Sequence, residues 1–177
     1  VCENEHLKGI KFRNGMVYIG SNTRTIHTPC DVEHINEKMT ELFSWLNTEY
    51  NINELIKSCI LHFYTVYIHP FCDGNGRTTR LMQSSYLIHH GYSNIKYVSI
   101  SESINNDLNM YYKTLQESEY TYNNMLDITP FISYILDKIC DSIDNTISKY
   151  NKLSDIQLKI LRKMEKGSEI TVNKACK

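Results

Sequence analysis

The residue types best suited to chemistry lie together between His69 and Arg80, in the sequence HPFCDGNGRTTR. Gly74 and Gly76 flank Asn75, and glycine lets the backbone bend so that its N–H groups face outward as an anion-binding nest. If a helix begins near Gly76, the positive end of its dipole adds to the same place. The segment therefore predicts a loop that binds phosphate groups.

The charged side chains of this loop fit the same chemistry. Arg77 and Arg80 lie three residues apart, so both can reach phosphate oxygens from the first turn of a helix with forked donors. Phosphates would repel Asp73 unless a cation lay between them, so Mg²⁺ bound by Asp73 is the economical interpretation. His69 is near neutral at physiological pH and can remove a proton from a hydroxyl that attacks phosphorus.

Each of these residues also has a simpler structural explanation. A single histidine at the end of an apolar helix is more often a capping or packing residue, and Gly-Asn-Gly is more often only a turn. Phe71 is interpreted as an aromatic anchor, and Pro70 and Cys72 as spacers. The combination of a base, an acid, two glycines, an asparagine and two arginines is harder to explain by structure alone. It favours a nucleotide site.

Helical periodicity is found on both sides of the loop. Apolar residues at three- and four-residue spacing predict one helix over 32–46 and a more buried one over 53–67. Another is expected over 76–91, and helices around 104–115 and 129–147 should follow. The residues of the third helix expected to face inward are Leu81, Met82, Ser85 and Ile88. The predicted fold is mostly α, with the candidate loop between two helices.

A small β element is expected before the first helix. The β-prone runs Ile10–Arg13 and Met16–Gly20 flank Asn14-Gly15, a dipeptide suited to a tight hairpin turn. The polar run Ser21–Pro29 is expected to form an exposed loop or flap.

Composition limits the function classes. The net charge is -1, from 19 basic and 20 acidic residues, which gives no overall reason for binding nucleic acid or an anionic membrane. The six cysteines form no C-x-x-C pair, as expected for free thiols in a reducing compartment. No stretch has the length and apolarity of a membrane span or the pattern of a secretory signal. We therefore expect a cytoplasmic location.

The composition changes near residue 150. One main domain is expected over 1–150, and a C-terminal helical segment over 151–177. The chain starts at Val1 and stops at Lys177 without an obvious end signal, which suggests a piece of a longer protein.

The segment from His69 to Arg80 resembles the signature of the Fic family, H-x-F-x-[D/E]-G-N-G-R-x-x-R, at every fixed position. The resemblance extends to GIKFRNGMVYIG, LFSWLN and YYKTL, and so covers most of residues 9–150. It implies a mostly α, Fic-type helical core, incomplete at its N-terminus, with a short β-hairpin flap. It also implies transfer of AMP from Mg-ATP to a Ser, Thr or Tyr hydroxyl of a target protein.

By position, the resemblance makes His69 the general base and Asp73 the Mg²⁺ ligand, with ATP as the substrate. The residues that it assigns to the phosphates are Gly74, Asn75, Gly76, Arg77 and Arg80. Arg80 would meet the γ-phosphate or, in an inhibited state, a regulatory glutamate.

The resemblance also implies two further surfaces of the site. The flap residues Thr25, Ile26 and His27 would bind the target segment by strand addition. Tyr111 and Tyr112 are candidates for an adenine pocket, and packing in the core is an equal alternative for one of them.

Two features depart from the family pattern. Many relatives carry an inhibitory helix with [S/T]-x-x-x-E-[G/N], and this sequence holds no match to it. An upstream segment or a separate partner would then supply the inhibitory helix, and a site without it should be active and modify itself. Glu119 lies where relatives place a neutral polar residue near adenine, so the nucleotide base preference stays open.

Other functions also stay open from the sequence. The same residues could remove AMP or transfer another nucleotide, or the chain could be a non-enzymatic regulatory or toxin–antitoxin module. His69 argues against the last, because nucleotide binding alone needs no base. A homodimer is compatible with the resemblance. The segment from Leu153 resembles the start of a winged-helix domain, but neither it nor the core is expected to bind nucleic acid by itself.

Overall fold

The computed structural model describes residues 12–17, 19–21, 24–119, 121–122, 125–152 and 155–165. The helices are α1 (Ile35–Thr48), α2 (Glu54–Ile68), α3 (Asn75–His89), α4 (Ile100–Asn105), α5 (Leu108–Glu119), α6 (Thr129–Asn151) and α7 (Asp155–Glu165). Short 3-10 helices span Val32–His34 and Ser93–Tyr97. The strands are β1 (Ile19–Ser21), β2 (Arg24–His27), β3 (Thr121–Tyr122) and β4 (Met125–Leu126). The prediction of a mostly α fold is confirmed.

Helix α2 lies at the centre of the fold and packs against α1, α3 and α6. The Asn53 side chain caps its first turn by accepting from the Leu55 N–H at 2.8 Å. One face of α2 contributes Phe63 to a core shared with α5 and α6. Another face contributes Leu61 and Ile68 to a second core with α1. A helix that is apolar on most sides is buried on most sides, as its sequence predicts.

The inward face of α3 differs from the prediction. The buried residues are Asn75, Thr79, Gln83 and Leu87, at a regular spacing of four. Leu81 is 68% exposed and Ile88 is 39% exposed. Met82 is partly buried against the core that α1 and α2 share, as predicted. Polar residues occupy the most buried face because Gln83 pairs with His62 and Ser58 of α2, so apolar periodicity was wrong for Leu81 and Ile88.

The first hairpin also lies further along the chain than predicted. Strands β1 and β2 are antiparallel, with Gly20 opposite Thr25 and Ser21 opposite Arg24, so the turn falls between Ser21 and Arg24. Among residues 12–17 no residue is in a strand, and Asn14-Gly15 forms a bend. The Gly15 carbonyl accepts from the Arg13 guanidinium at 3.0 Å, in place of a strand partner. Ile10 and Lys11 lie outside the described residues.

Helix α6 has buried residues only as far as Ser142. Ile135 and Ile139 belong to the core, whereas Ile147 is 52% exposed. The helix ends at Asn151 and α7 begins at Asp155, so the boundary predicted near residue 150 falls at a helix end and stays a prediction. None of the helices in the described ranges has the length and apolarity to cross a membrane.

Candidate functional site

His69 ends helix α2 in the left-handed conformation, with φ 51° and ψ 60°. A residue other than glycine rarely adopts this conformation, and holding it costs on the order of 1–3 kcal/mol. The His69 N–H still donates to the Thr65 carbonyl at 3.1 Å, as the cap of the helix. The left-handed turn reverses the chain directly into the loop that leads to α3. Such strain is commonly found at functional sites.

The imidazole of His69 is oriented by the backbone of α2. Its Nδ1 lies 3.3 Å from the Val66 carbonyl oxygen. A carbonyl only accepts, so Nδ1 must carry the proton in this contact. In the neutral ring Nε2 is then left with its lone pair, as a general base requires.

The surroundings of His69 keep the ring neutral. Burial lowers the pKa of His69, and the charges of His27 and Arg13 lower it further, while the bond to Val66 raises it. The net shift is downward from the ordinary value. A neutral imidazole at physiological pH follows from this shift.

Asn75 shapes the loop between His69 and α3. The side chain is only 2% exposed. Its Nδ2 donates to the Phe71 carbonyl at 2.7 Å, and its Oδ1 accepts from the Phe71 N–H at 2.9 Å. The amide thus closes the loop on itself. Sequence reasoning assigned Asn75 to the phosphate and missed this bracing role.

Gly74 makes the turn into α3. Its φ of +78° is left-handed, and its carbonyl accepts the first helical bond, from the Thr78 N–H at 2.9 Å. The Gly74 N–H itself donates to the Asp73 carboxylate at 2.6 Å. The N–H groups of Asn75, Gly76 and Arg77 precede that first helical bond, so they face out of the positive end of α3. An anion at this end would meet these N–H groups.

Arg77 and Asp73 form an exposed ion pair. Arg77 Nη2 lies 3.4 Å from Asp73 Oδ2, and the two side chains are 69% and 49% exposed. Exposed pairs of this kind contribute little to stability, because water and salt screen them. Phosphate can therefore replace the carboxylate at Arg77, and a hard cation can replace the guanidinium at Asp73. The donor types suit Mg²⁺, which is commonly bound by one or two carboxylates together with phosphate oxygens.

Arg80 lies against the backbone of Gly76. A Cβ added at Gly76 would meet Arg80 Nη1 at 3.2 Å. Arg80 Nε donates to the Ser101 hydroxyl of α4 at 3.1 Å. Because Gly76 has no side chain, the guanidinium has room beside the N-terminal end of α3, and the hydrogen bond to Ser101 holds it there.

Replacement of Gly76 by alanine should separate binding from folding. Alanine favours a helix by about 1 kcal/mol over glycine, so the melting temperature should not fall. The added methyl group would lie 3.2 Å from Arg80 Nη1, so the end of the guanidinium must shift by a few tenths of an ångström. The affinity for a nucleoside triphosphate should therefore fall about fivefold. Thermal melts and calorimetric titration of Gly76→Ala with ATP test this, with Gly15→Ala as the control because nothing lies within 4 Å of its added Cβ. An unchanged affinity would contradict a role of Arg80 in phosphate binding.

The flap is attached to α2 through His27. Its Nε2 lies 2.7 Å from the Tyr67 carbonyl oxygen, and its ring stands 4.7 Å from the Tyr67 ring. The residue is only 8% exposed. The backbones of Thr25 and Ile26 lie in β2, where Thr25 pairs with Gly20. The structure thus places the His27 side chain against α2, and target binding by these three residues stays a prediction.

The two tyrosines proposed for adenine lie in different surroundings. Tyr111 is 4% exposed, and its hydroxyl lies 3.1 Å from Nε2 of His62. Burial raises the pKa of Tyr111. Tyr112 is half-buried, with its ring 5.3 Å from that of Tyr111. The packing alternative therefore applies to Tyr111, and Tyr112 is the more accessible candidate.

A buried polar network behind the loop was not anticipated. His62 is 0% exposed, and its Nδ1 lies 2.7 Å from Gln83 Oε1. The network joins α2, α3 and α5 through His62, Gln83 and Tyr111. The only signal in the sequence is one histidine inside the apolar run of α2, which alone does not name its partners.

Known proteins share both the sequence and the fold. Residues 4–87 match the Fic/DOC family. The protein named protein adenylyltransferase Fic from Drosophila willistoni is 32% identical over 133 residues, which are 74% of this chain and 24% of the relative. The protein adenylyltransferase fic-1 of Caenorhabditis elegans is 28% identical over 147 residues, 82% of this chain and 26% of the relative. The chain thus spans about a quarter of the length of these curated relatives.

Solved structures agree with these sequence matches. A Fic family protein from Desulfovibrio desulfuricans superposes with a TM-score of 0.70 at 26% identity, over 96% of this chain and 51% of the other. A Fic domain containing signaling protein from Bacteroides thetaiotaomicron gives a TM-score of 0.61 at 27% identity, over 81% of this chain and 56% of the other. The helical core, the His69–Arg80 loop and these matches agree, and the chain belongs to the Fic/DOC family.

Proposed function

We propose that this chain transfers AMP from Mg-ATP to a Ser, Thr or Tyr hydroxyl of a target protein, and also to itself. The observation that carries the proposal is the orientation of His69. Its Nδ1 faces the Val66 carbonyl, which leaves Nε2 as a proton acceptor at the start of the loop. The names of the relatives, protein adenylyltransferase, support the same activity.

The residues of the loop divide the binding of the nucleotide among them. The N–H groups at the start of α3 bind phosphate oxygens with the aid of the helix dipole. Arg77 exchanges its ion pair with Asp73 for the outer phosphates, and Arg80 binds beside it. The Asp73 carboxylate supplies a ligand for Mg²⁺, which would neutralise phosphate charge when bound.

The chemical step is a displacement at the α-phosphorus. The target hydroxyl oxygen forms a bond to the α-phosphorus, and the bond from this phosphorus to the oxygen bridging to the β-phosphate breaks. His69 Nε2 takes the hydroxyl proton, and pyrophosphate leaves with the electron pair. Positioning and charge neutralisation supply most of the rate in this kind of transfer.

The cellular setting forms part of the proposal. Cys30, Cys59, Cys72 and Cys140 are free thiols, which supports a reducing, cytoplasmic location. We also propose that an inhibitory helix, where one acts, comes from another segment or a partner.

Mass spectrometry of the protein after incubation with ATP and Mg²⁺, alone and with cell lysate, tests the proposed function. The expected result is addition of AMP to protein hydroxyls and release of pyrophosphate. Because the phosphates carry charge that a cation must offset, excess EDTA should abolish transfer and added Mg²⁺ should restore it. Addition of phosphate alone, or transfer that persists in EDTA, would show that the proposed chemistry is wrong.

A further inference from the structure

Arg13 is a buried charged residue at the back of the loop. It is only 2% exposed. Its Nε donates to the His69 carbonyl at 2.8 Å and its Nη1 donates to the Gly15 carbonyl at 3.0 Å. Its Nη2 donates to the Cys30 carbonyl and, at 3.5 Å, to the Ile68 carbonyl. One guanidinium therefore joins the segment before the flap, the segment after it and the end of α2.

The backbone of Arg13 also forms a hydrogen bond with the segment that follows α2. The Arg13 N–H donates to the Pro70 carbonyl at 2.7 Å. The carbonyls of Ile68, His69 and Pro70, which are consecutive, thus all accept from Arg13. The residue in the middle is the one held at φ 51°.

The charge of Arg13 has no carboxylate partner among the ion pairs between described residues. Burying a guanidinium is costly unless its donors are satisfied. Here the compensation comes from the C-terminal carbonyls of α2, which lack helical partners and form the negative end of the helix dipole. The arginine thus stabilises a particular backbone arrangement, the left-handed end of α2 at His69.

We propose that Arg13 is a positioning residue for His69, which clamps the carbonyls on both sides of this residue so that the imidazole keeps its orientation toward the loop. The inference rests on the proposed function. A base must lie within a few tenths of an ångström of its productive position. Arg13 has no contact with the loop from Asp73 to Arg80 among its hydrogen bonds, so it should affect the proton transfer and leave nucleotide binding unchanged.

The clamp has a second, electrostatic consequence. Among the described residues, the Arg13 guanidinium and His27 of β2 are the charged and titratable groups that act on the His69 ring, and both disfavour its protonated form. Loss of the guanidinium should therefore let His69 take up a proton at a higher pH. Lysine at this position keeps the charge but cannot donate through a rigid fork to the separate carbonyls.

The test compares Arg13→Met and Arg13→Lys with the wild-type chain. Arg162→Met changes an exposed arginine of α7 and is the control. In Arg13→Met we expect kcat for AMP transfer to fall about tenfold or more while the KM for ATP stays within about twofold. In Arg13→Lys we expect a smaller fall in kcat. Arg162→Met should retain wild-type kinetics.

A pH titration of the His69 ring by NMR, assigned with a His69→Asn variant, provides a readout independent of activity. The titration midpoint should move to higher pH in Arg13→Met and stay near the wild-type value in Arg13→Lys. An unchanged kcat in Arg13→Met, or a loss that comes from KM alone, would overturn the inference.

The experiment distinguishes failure of the proposed function from failure of the inference about Arg13. If the wild-type chain transfers no AMP, the proposed function fails, and the NMR midpoints still decide whether Arg13 controls the surroundings of His69. If Arg13→Met does not fold, Arg13→Lys decides: a fall in kcat at constant KM supports the inference, and wild-type kcat overturns it.

Discussion

Replacement of His69 should abolish most of the AMP transfer and leave ATP binding almost unchanged. Removal of a general base typically lowers the rate about 10²–10⁴-fold. In the proposed function the phosphates are bound by the N–H groups of α3 and the arginines and not by His69, so the dissociation constant for ATP should stay within about twofold. Transfer kinetics and calorimetric titration with ATP measure the two effects separately.

The substitution must respect the backbone at this position. Because His69 has a φ of 51°, alanine adds strain, whereas asparagine tolerates the left-handed conformation and has no basic nitrogen. His69→Asn should therefore fold as well as the wild-type chain and show the same loss of transfer as His69→Ala. His89→Ala, at an exposed position at the end of α3, should keep full activity. Activity of His69→Asn within about tenfold of wild type would contradict the assignment of the base.

The sequence predicts the helices and the loop because both depend on local features. The spacing of apolar residues in α1, α2 and α6 follows the helical period, and packing preserves it. The turn at Gly74 and the start of α3 follow from glycine and from the end of the preceding apolar helix. These features require no knowledge of what lies across the fold.

Features that depend on distant contacts were missed. Arg13 and His69 are 56 residues apart in the chain, and an arginine in a β-prone run gives no sign that it will bind the end of a helix. The same contact explains the displaced hairpin, because the Gly15 carbonyl is bonded to the Arg13 side chain. Asn14-Gly15 has a local preference for a tight hairpin turn, but the hydrogen bonds of the buried Arg13 guanidinium determine the backbone here instead.

The buried polar residues were missed for a related reason. Gln83 lies on the inward face of α3 because its side chain forms a hydrogen bond with His62 of α2. A prediction from apolar periodicity places glutamine on the surface, and it therefore placed Leu81 and Ile88 on the inward face of α3. The sequence of either helix alone does not show that the side chains of His62 and Gln83 form a hydrogen bond with each other, and this becomes visible only when α2 and α3 are packed together. The burial of Tyr111 follows from the same network.

This network should make folding stability depend strongly on pH. Burial lowers the pKa of His62 to about 4 from the ordinary 6.5, and the charge of Arg80 adds to the shift, while the bond to Gln83 opposes it. Between these two pH values the unfolded chain binds a proton that the folded chain excludes. The stabilisation is therefore complete above pH 6.5 and is lost as the pH falls toward 4.

A shift of this size corresponds to about 3 kcal/mol of unfolding free energy from one histidine. Urea unfolding of the wild-type chain at several pH values from 7 to 4 should show this loss. In His62→Asn the amide can still reach Gln83 but cannot take up a proton, so the variant should be less stable at neutral pH and lose less on acidification. His89→Ala should keep the wild-type dependence, because that side chain is exposed in both states. Equal pH dependence in the wild type and His62→Asn would mean that the pKa of His62 is the same in the folded and unfolded chain, which would contradict exclusion of the proton by burial.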